Sequence, residues 1–173
     1  MRTKNIFLTG LPGCGKTTLL KEIIKELNLE AAGFYTEEIR EKGERIGFNL
    51  FSLDGKRGIL AHKDFKSPYQ VSKYGVNLRD LEEIGVKSIE EGLLKGEKII
   101  IIDEIGKMEL FSEKFKEAVL AALESENLVL GTIKITKDPF TDKIRERKDT
   151  KILNLTKKNR EEIKKEILKF LKL

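Results

Sequence analysis

Residues 10–17 read GLPGCGKT, preceded by the apolar run of residues 6–9 and followed by a helical pattern that begins near Lys16. This sequence leaves few folds open. Gly10, Gly13 and Gly15 allow the backbone to curl until successive N–H groups face one concavity, at the positive end of the following helix. A buried strand that feeds a helix through such a turn is the opening unit of a parallel α/β sheet, and the concavity suits a nucleotide phosphate chain. In it Lys16 reaches the β- and γ-phosphates and the Thr17 hydroxyl takes one Mg²⁺ position, while Leu11, Pro12 and Cys14 complete the loop. Cys14 is the only cysteine and sits at a variable position of the loop; it is read as a small residue that fits rather than as a redox switch.

The rest of the chain continues that unit. Leu19, Leu20, Ile23, Ile24 and Leu27 recur at helical spacing, so an amphipathic helix follows the loop. From Ala31 to about Lys63 the period changes to two, with turns at Lys42-Gly43 and Asp54-Gly55, which predicts antiparallel hairpins. Pro68, Gly75 and Gly85 interrupt residues 64–85, and a short helix is expected near residues 86–94. Ile99, Ile100, Ile101 and Ile102 show no polar alternation, the mark of a central parallel strand covered on both faces. Ser112 caps a helix carrying Phe115, Val119, Ala122 and Leu123, and residues 128–133 form another buried strand. Pro139 starts a short helix through Arg147, residues 152–155 give a last strand, and Thr156 caps a final helix buried through Ile163, Ile167, Phe170 and Leu171. The expected fold class is therefore α/β: a P-loop, mostly parallel sheet with helices on both faces and an antiparallel hairpin region at one edge.

At 173 residues the chain is read as a single domain, residues 1–173. One cysteine excludes an internal disulfide, and the start MRTKNIFLTG has too short an apolar run for a signal peptide or membrane span, so the expected location is cytoplasmic. The charged fraction of 36%, rich in Lys and Glu, resembles a heat-adapted surface. Residues 143–173 hold twelve Lys/Arg and five Asp/Glu, more than the whole net charge of +5. Their signs interleave, as in KKNREEIKKEILK, which reads as a solvated helix face more readily than as a nucleic-acid stripe.

Asp103 and Glu104 close the isoleucine run, a Walker B pattern. Asp103 emerges at the carboxyl end of its strand, where sheets of this kind bind ligands, and orients Mg²⁺ directly or through water. Glu104 then aligns and polarises an attacking water, so Lys16 and Glu104 are the catalytic pair, with Thr17 and Asp103 as the metal positions. Thr132, at the end of the next strand, either bonds the water or γ-phosphate or is an ordinary strand threonine. Arg145 or Arg147 can supply the charge that neutralises the transition state, in cis or between subunits. Glu37, Glu38 and Arg40 are candidates for contacts near the nucleotide or plain edge charges, and Tyr74 either stacks on a base or is a core tyrosine.

Three segments together, GLPGCGKTTL, GFYTEEIR and DEIGKMEL, with YGVN at residues 74–77, resemble the small P-loop nucleoside triphosphatases of thermophiles, relatives of the cancer-related nucleoside triphosphatase. The resemblance runs along nearly the whole chain. It implies a RecA-like sheet with extra strands and Mg²⁺-dependent hydrolysis of ATP, GTP, CTP, UTP and TTP with little base discrimination. The family's ligand positions fall on residues 10–17 and on Ile99, Ile100, Ile101, Ile102, Asp103, Glu104, Ile105 and Gly106. Two other readings share these motifs. A nucleotide or small-molecule kinase would carry a helical acceptor segment and an arginine-rich lid where this chain carries hairpins, and an ATP-regulated RNA-binding protein would use the basic C-terminal region in a salt-dependent way.

Overall fold

The computed structural model describes residues 2–28 and 30–171. Strand β1 (Asn5–Thr9) leads through the glycine loop into α1 (Lys16–Leu27), followed by β2 (Ala31–Glu41), β3 (Glu44–Ser52), β4 (Arg57–His62), β5 (Gln70–Val71) and β6 (Tyr74–Val76). A helical segment comes next: α2 (Leu78–Asp80), a π-helical stretch (Leu81–Val86) and α3 (Lys87–Lys95). Then β7 (Ile99–Ile105), α4 (Glu113–Glu124), β8 (Leu128–Ile133), α5 (Pro139–Arg145), β9 (Thr150–Asn154) and α6 (Arg160–Leu171) complete the order. Among the described residues all strands join one sheet, β5-β6-β4-β3-β2-β7-β8-β1-β9. The neighbours from β2 to β9 run parallel, and β3, β4, β6 and β5 extend the sheet antiparallel at one edge.

Successive side chains of a strand point to opposite faces, so the isoleucine run of β7 serves two cores at once. Ile99 and Ile101 pack with Leu19, Leu20 and Ile23 of α1 and with Ile163 and Ile167 of α6. Ile100 and Ile102 pack with Leu81, Val86 and Ile89 of the long helical segment and Phe115, Val119, Ala122 and Leu123 of α4. Arg160 and Lys164 of α6 also pair with Glu22 on α1, and Lys164 pairs with Glu26, so part of the basic C-terminal charge fastens one helix to another.

Local signals account for several element ends. The Ser112 hydroxyl accepts from the Phe115 amide at 3.1 Å and so caps α4. Asp138 does the same for α5 through the Phe140 amide at 2.8 Å, with Pro139 in the first turn, and α5 stops at Arg145, two residues short of the expected end. Thr156 and Asn159 exchange side-chain to backbone bonds in the turn before α6.

Two expectations need correction. The helix expected near residues 86–94 starts earlier, at Leu78, because the Asn77 side chain accepts from the Asp80 amide and provides a start signal. Gly92, which reads as a breaker, is where α3 lies against β2: a Cβ there would be 2.4 Å from the Ala32 Cβ. The segment from Ala31 is antiparallel only in part. Ala31, Ala32, Gly33 and Phe34 pair in parallel with the four isoleucines of β7, and the same strand then pairs antiparallel with β3.

Gly33 sets that junction. Its φ is +111°, and a Cβ on it would lie 2.0 Å from the Ile101 carbonyl oxygen, on the neighbouring backbone. Gly33→Ala is expected to destabilise the protein by about 3 kcal/mol or more, since strain at a positive φ adds to a clash that no side-chain movement relieves. Urea unfolding checks it; a loss under about 0.5 kcal/mol would contradict the β2–β7 register.

No helix among the described residues is long and apolar enough to cross a membrane. Because one sheet gathers strands from residue 5 to residue 154, we propose that the chain is one domain. Met1, Leu29, Lys172 and Leu173 lie outside the described residues.

Candidate active site

The strand order brings the carboxyl ends of β7, β8 and β1 side by side, so the loops that leave them share one rim of the sheet. The loop from β1 turns through Gly10, Gly13 and Gly15 at φ +155°, +78° and +94°. Gly15 is the N-cap of α1 and contributes no side chain, which leaves the first-turn amides facing outward as an anion site. Lys16 folds back over this loop, its ammonium donating to the Gly10 carbonyl at 2.9 Å and the Leu11 carbonyl at 3.2 Å. Cys14 packs against the α1–α6 core, as a space-filling residue would.

Asp103, the fifth residue of β7, is 2% exposed and is held by two hydroxyls. Thr17 donates to its Oδ2 and Thr132 to its Oδ1, each at 2.6 Å. Burial raises its carboxyl above the ordinary range, while the two hydroxyls and the Lys16 charge pull it back. Glu104 is raised as well, by burial first and then by the neighbouring Asp103 charge. Its carboxylate rests against Gly106, where a Cβ would lie 2.6 Å from Oε1. Glu109 forms a third acid of the group: 3% exposed on the 3₁₀ turn Glu109–Phe111, it is raised well above the usual carboxylate range by burial and by Glu104. The Thr9 hydroxyl, one residue before the loop, is buried with no hydrogen-bond partner.

Three crowded acids and few cations make this rim a place for added positive charge. Thr17 Oγ1 and Asp103 Oδ2 are adjacent hard oxygen donors beside a phosphate loop, which fits Mg²⁺, an ion that takes one or two protein oxygens and completes its shell with water and phosphate. The donor set therefore suits the ion expected from the sequence.

Not every residue singled out from the sequence reaches this rim. Lys16, Thr17, Asp103, Glu104 and Thr132 gather there. Ile99, Ile100, Ile101, Ile102 and Ile105 do not present themselves to a ligand, because all five are buried in the two cores. Arg145 donates to the Lys134 carbonyl and so lies near the end of β8. Arg147 is at the opposite edge. It binds Asp149, Glu124 and the Leu123 carbonyl, and the Asp149 carbonyl in turn receives the amides of Lys4 and Asn5 where β1 begins. A five-residue strand of roughly 16 Å separates that edge from the loop, so a role for Arg147 within its own chain is corrected. Tyr74 is 4% exposed, exchanging hydrogen bonds with Arg45, and is the core tyrosine rather than a base platform. Glu37 pairs with Lys21 of α1, while Glu38 pairs with Arg40 and Arg45 along the β2–β3 hairpin.

Two charged residues near this rim are not singled out by the sequence reading. Glu109 lies within the DEIGKMEL segment that carries the family resemblance, but its position there gives it no role of its own. In the sequence Lys134 directly follows the apolar run of residues 128–133, as Asp103 follows the four isoleucines.

Comparison with known proteins gives one family and consistent relatives. A family model described as NTPase matches residues 5–168. The nucleoside-triphosphatase THEP1 of Thermotoga sp. (strain RQ2) is 54% identical over 167 residues, covering 96% of this chain and 95% of its own length. The cancer-related nucleoside-triphosphatase of Homo sapiens is 40% identical over 172 residues, 91% of this chain and 90% of its own. The crystal structure of THEP1 from the hyperthermophile Aquifex aeolicus matches with a TM-score of 0.88 at 40% identity, covering 98% of this chain and 99% of that one. The architecture is that of an α/β P-loop NTPase.

Proposed function

The chain belongs to the NTPase family, and from that premise we propose that it hydrolyses ATP, GTP, CTP, UTP and TTP to the diphosphate and phosphate, with Mg²⁺ and little preference among bases. Phosphohydrolysis of nucleoside triphosphates is the coarse activity that family and relatives carry. The observation that supports the finer reading best is the pair of hydroxyls, from Thr17 and Thr132, that fix Asp103 directly beside Glu104.

The glycine loop and the first turn of α1 grip the phosphate chain, and Lys16 leaves the Gly10 and Leu11 carbonyls for the β- and γ-phosphate oxygens. When bound at Thr17 and Asp103, Mg²⁺ supplies positive charge to the phosphate oxygens. Glu104 holds a water in line with the departing diphosphate. As the water oxygen bonds to the γ-phosphorus and the bridging bond to the β-phosphate breaks, the water proton passes to the Glu104 carboxylate or, through it, to the phosphate product. The diphosphate takes the bonding pair. A cytoplasmic setting accords with this substrate, and nucleic acid is not needed.

These contacts address phosphates, not bases. ATP and GTP are therefore expected to show kcat/KM values within about a hundredfold, roughly 2.7 kcal/mol at ~1.36 kcal/mol per decade. The test is phosphate release from a panel of five triphosphates, with and without Mg²⁺ and with nucleosides or monophosphates added. Release of inorganic phosphate in every case, lost on chelation, is the expected result. Transfer of most of the γ-label to an added acceptor would replace hydrolysis with a kinase reaction.

A further inference from the structure

Hydrolysis of a triphosphate builds negative charge on the phosphoryl group and bridging oxygen, and this rim already holds three acids. Beyond Lys16 and Mg²⁺, a further side-chain cation close to the γ-phosphate would offset that charge as it develops. Arg145 and Arg147 have other partners: the Lys134 carbonyl for the first, and Asp149, Glu124 and the Leu123 carbonyl for the second.

We infer that Lys134 is that cation, a catalytic residue that contacts the γ-phosphoryl group during hydrolysis; this rests on the hydrolytic reading above. Strand β8 lies between β7 and β1, so its carboxyl end faces the interval between Asp103–Glu104 and the glycine loop. Lys134 is the first residue past that end, and its amide donates to the Ile105 carbonyl at 3.0 Å, which ties its backbone to the segment just after Glu104. Its side chain is only 12% exposed. Yet the ammonium makes weak contacts: the Lys137 carbonyl at 3.5 Å and the Asp138 carboxylate at 3.8 Å, both outside ordinary hydrogen-bond length. A largely covered lysine whose ammonium is so loosely held is poised to exchange partners.

A lysine suits the task, since a compact point charge on a four-carbon stem can swing from Asp138 to a phosphoryl oxygen without moving the backbone. Arg145, donating to the Lys134 carbonyl, acts as a positioning residue for that backbone. Lys134 and Lys107 also line an open groove with Gln70, Ser72, Phe111 and Asp138, so the lysine side chain has open space beside it in which to move.

The experiment compares Lys134→Met, which keeps the stem and removes the charge, with Lys134→Arg, which restores it. Lys134→Met is expected to lower kcat about 10²-fold or more with KM for Mg-ATP changed less than about threefold, and Lys134→Arg to recover at least about a tenth of parent kcat. Binding supplies a readout that a structural role would not move. Calorimetry with ADP, Mg²⁺ and aluminium fluoride, which mimics the phosphoryl group in flight, should show affinity falling at least about 30-fold in Lys134→Met, while ADP alone binds as in the parent. Lys134→Gln repeats both measurements with a polar side chain should Met unfold the protein. A kcat within about threefold of the parent, or a lower kcat with unchanged aluminium fluoride affinity, overturns the assignment alone. If the parent released no phosphate from any triphosphate, the hydrolytic reading would fall and the assignment with it.

Discussion

Glu104→Gln should leave nucleotide binding within about threefold of the parent and slow hydrolysis by about 10²-fold or more, the scale of a lost general base. The amide keeps the shape that fits against Gly106 and loses the ability to take the proton of the attacking water. The direction of the Glu104 shift gives a second test. Burial and Asp103 raise the Glu104 carboxyl, so the proton-accepting form is lost at a higher pH than for an ordinary glutamate near ~4.3, and the rate falls as pH drops through that raised value. The acid limb of kcat in the parent should lie above the ordinary carboxylate range and should vanish in Glu104→Gln. Rapid-quench measurement of a single turnover across pH checks both; a variant that hydrolyses at the parent rate would remove Glu104 from the mechanism.

Lys16→Ala is expected to weaken ATP binding by about 10²-fold or more while leaving the fold in place. Hydrogen bonds to charged groups contribute roughly 1.5–3 kcal/mol each, and Lys16 is positioned to make more than one with the β- and γ-phosphates. The cost to stability is small by comparison. Without nucleotide its ammonium serves the carbonyls of Gly10 and Leu11 and, weakly, the Cys14 sulfur, in a loop that solvent reaches, so the unfolding free energy should fall by less than about 1 kcal/mol. Isothermal calorimetry with Mg-ATP and circular dichroism separate the two effects. An affinity within twofold of the parent would sink the assignment of residues 10–17 as the phosphate loop.

Both predictions rest on residues readable in the sequence because their chemistry is local. The glycine loop needs only its own backbone freedom and the helix it starts, and the isoleucine run reports burial on both faces without reference to any partner. Ser112 and Asp138 cap helices through amides two or three residues away, and their side chains carry that signal themselves.

Elsewhere the outcome depended on which elements became neighbours. Period-two patterning in residues 31–41 marked a strand, but only the placement of Gly33 against Ile101 made its first four residues part of the parallel core. Arg145 and Arg147 are two residues apart and look alike in sequence. One ends α5 beside Lys134, whereas the other follows the helix and turns to the amino edge of the sheet, where Asp149 and Glu124 hold it. Glu109 became an acid of the active rim only because the turn after β7 folds it beside Glu104, out of water. The phosphate loop, the buried strand that carries Asp103 and Glu104 and the alternation of strand and helix are written in the residues themselves, since backbone freedom and hydrophobic period act within a few positions. The tertiary structure decided which charges face one another, because Coulomb energy and desolvation depend on distances between segments far apart in the chain, and those distances exist only once the sheet order is set.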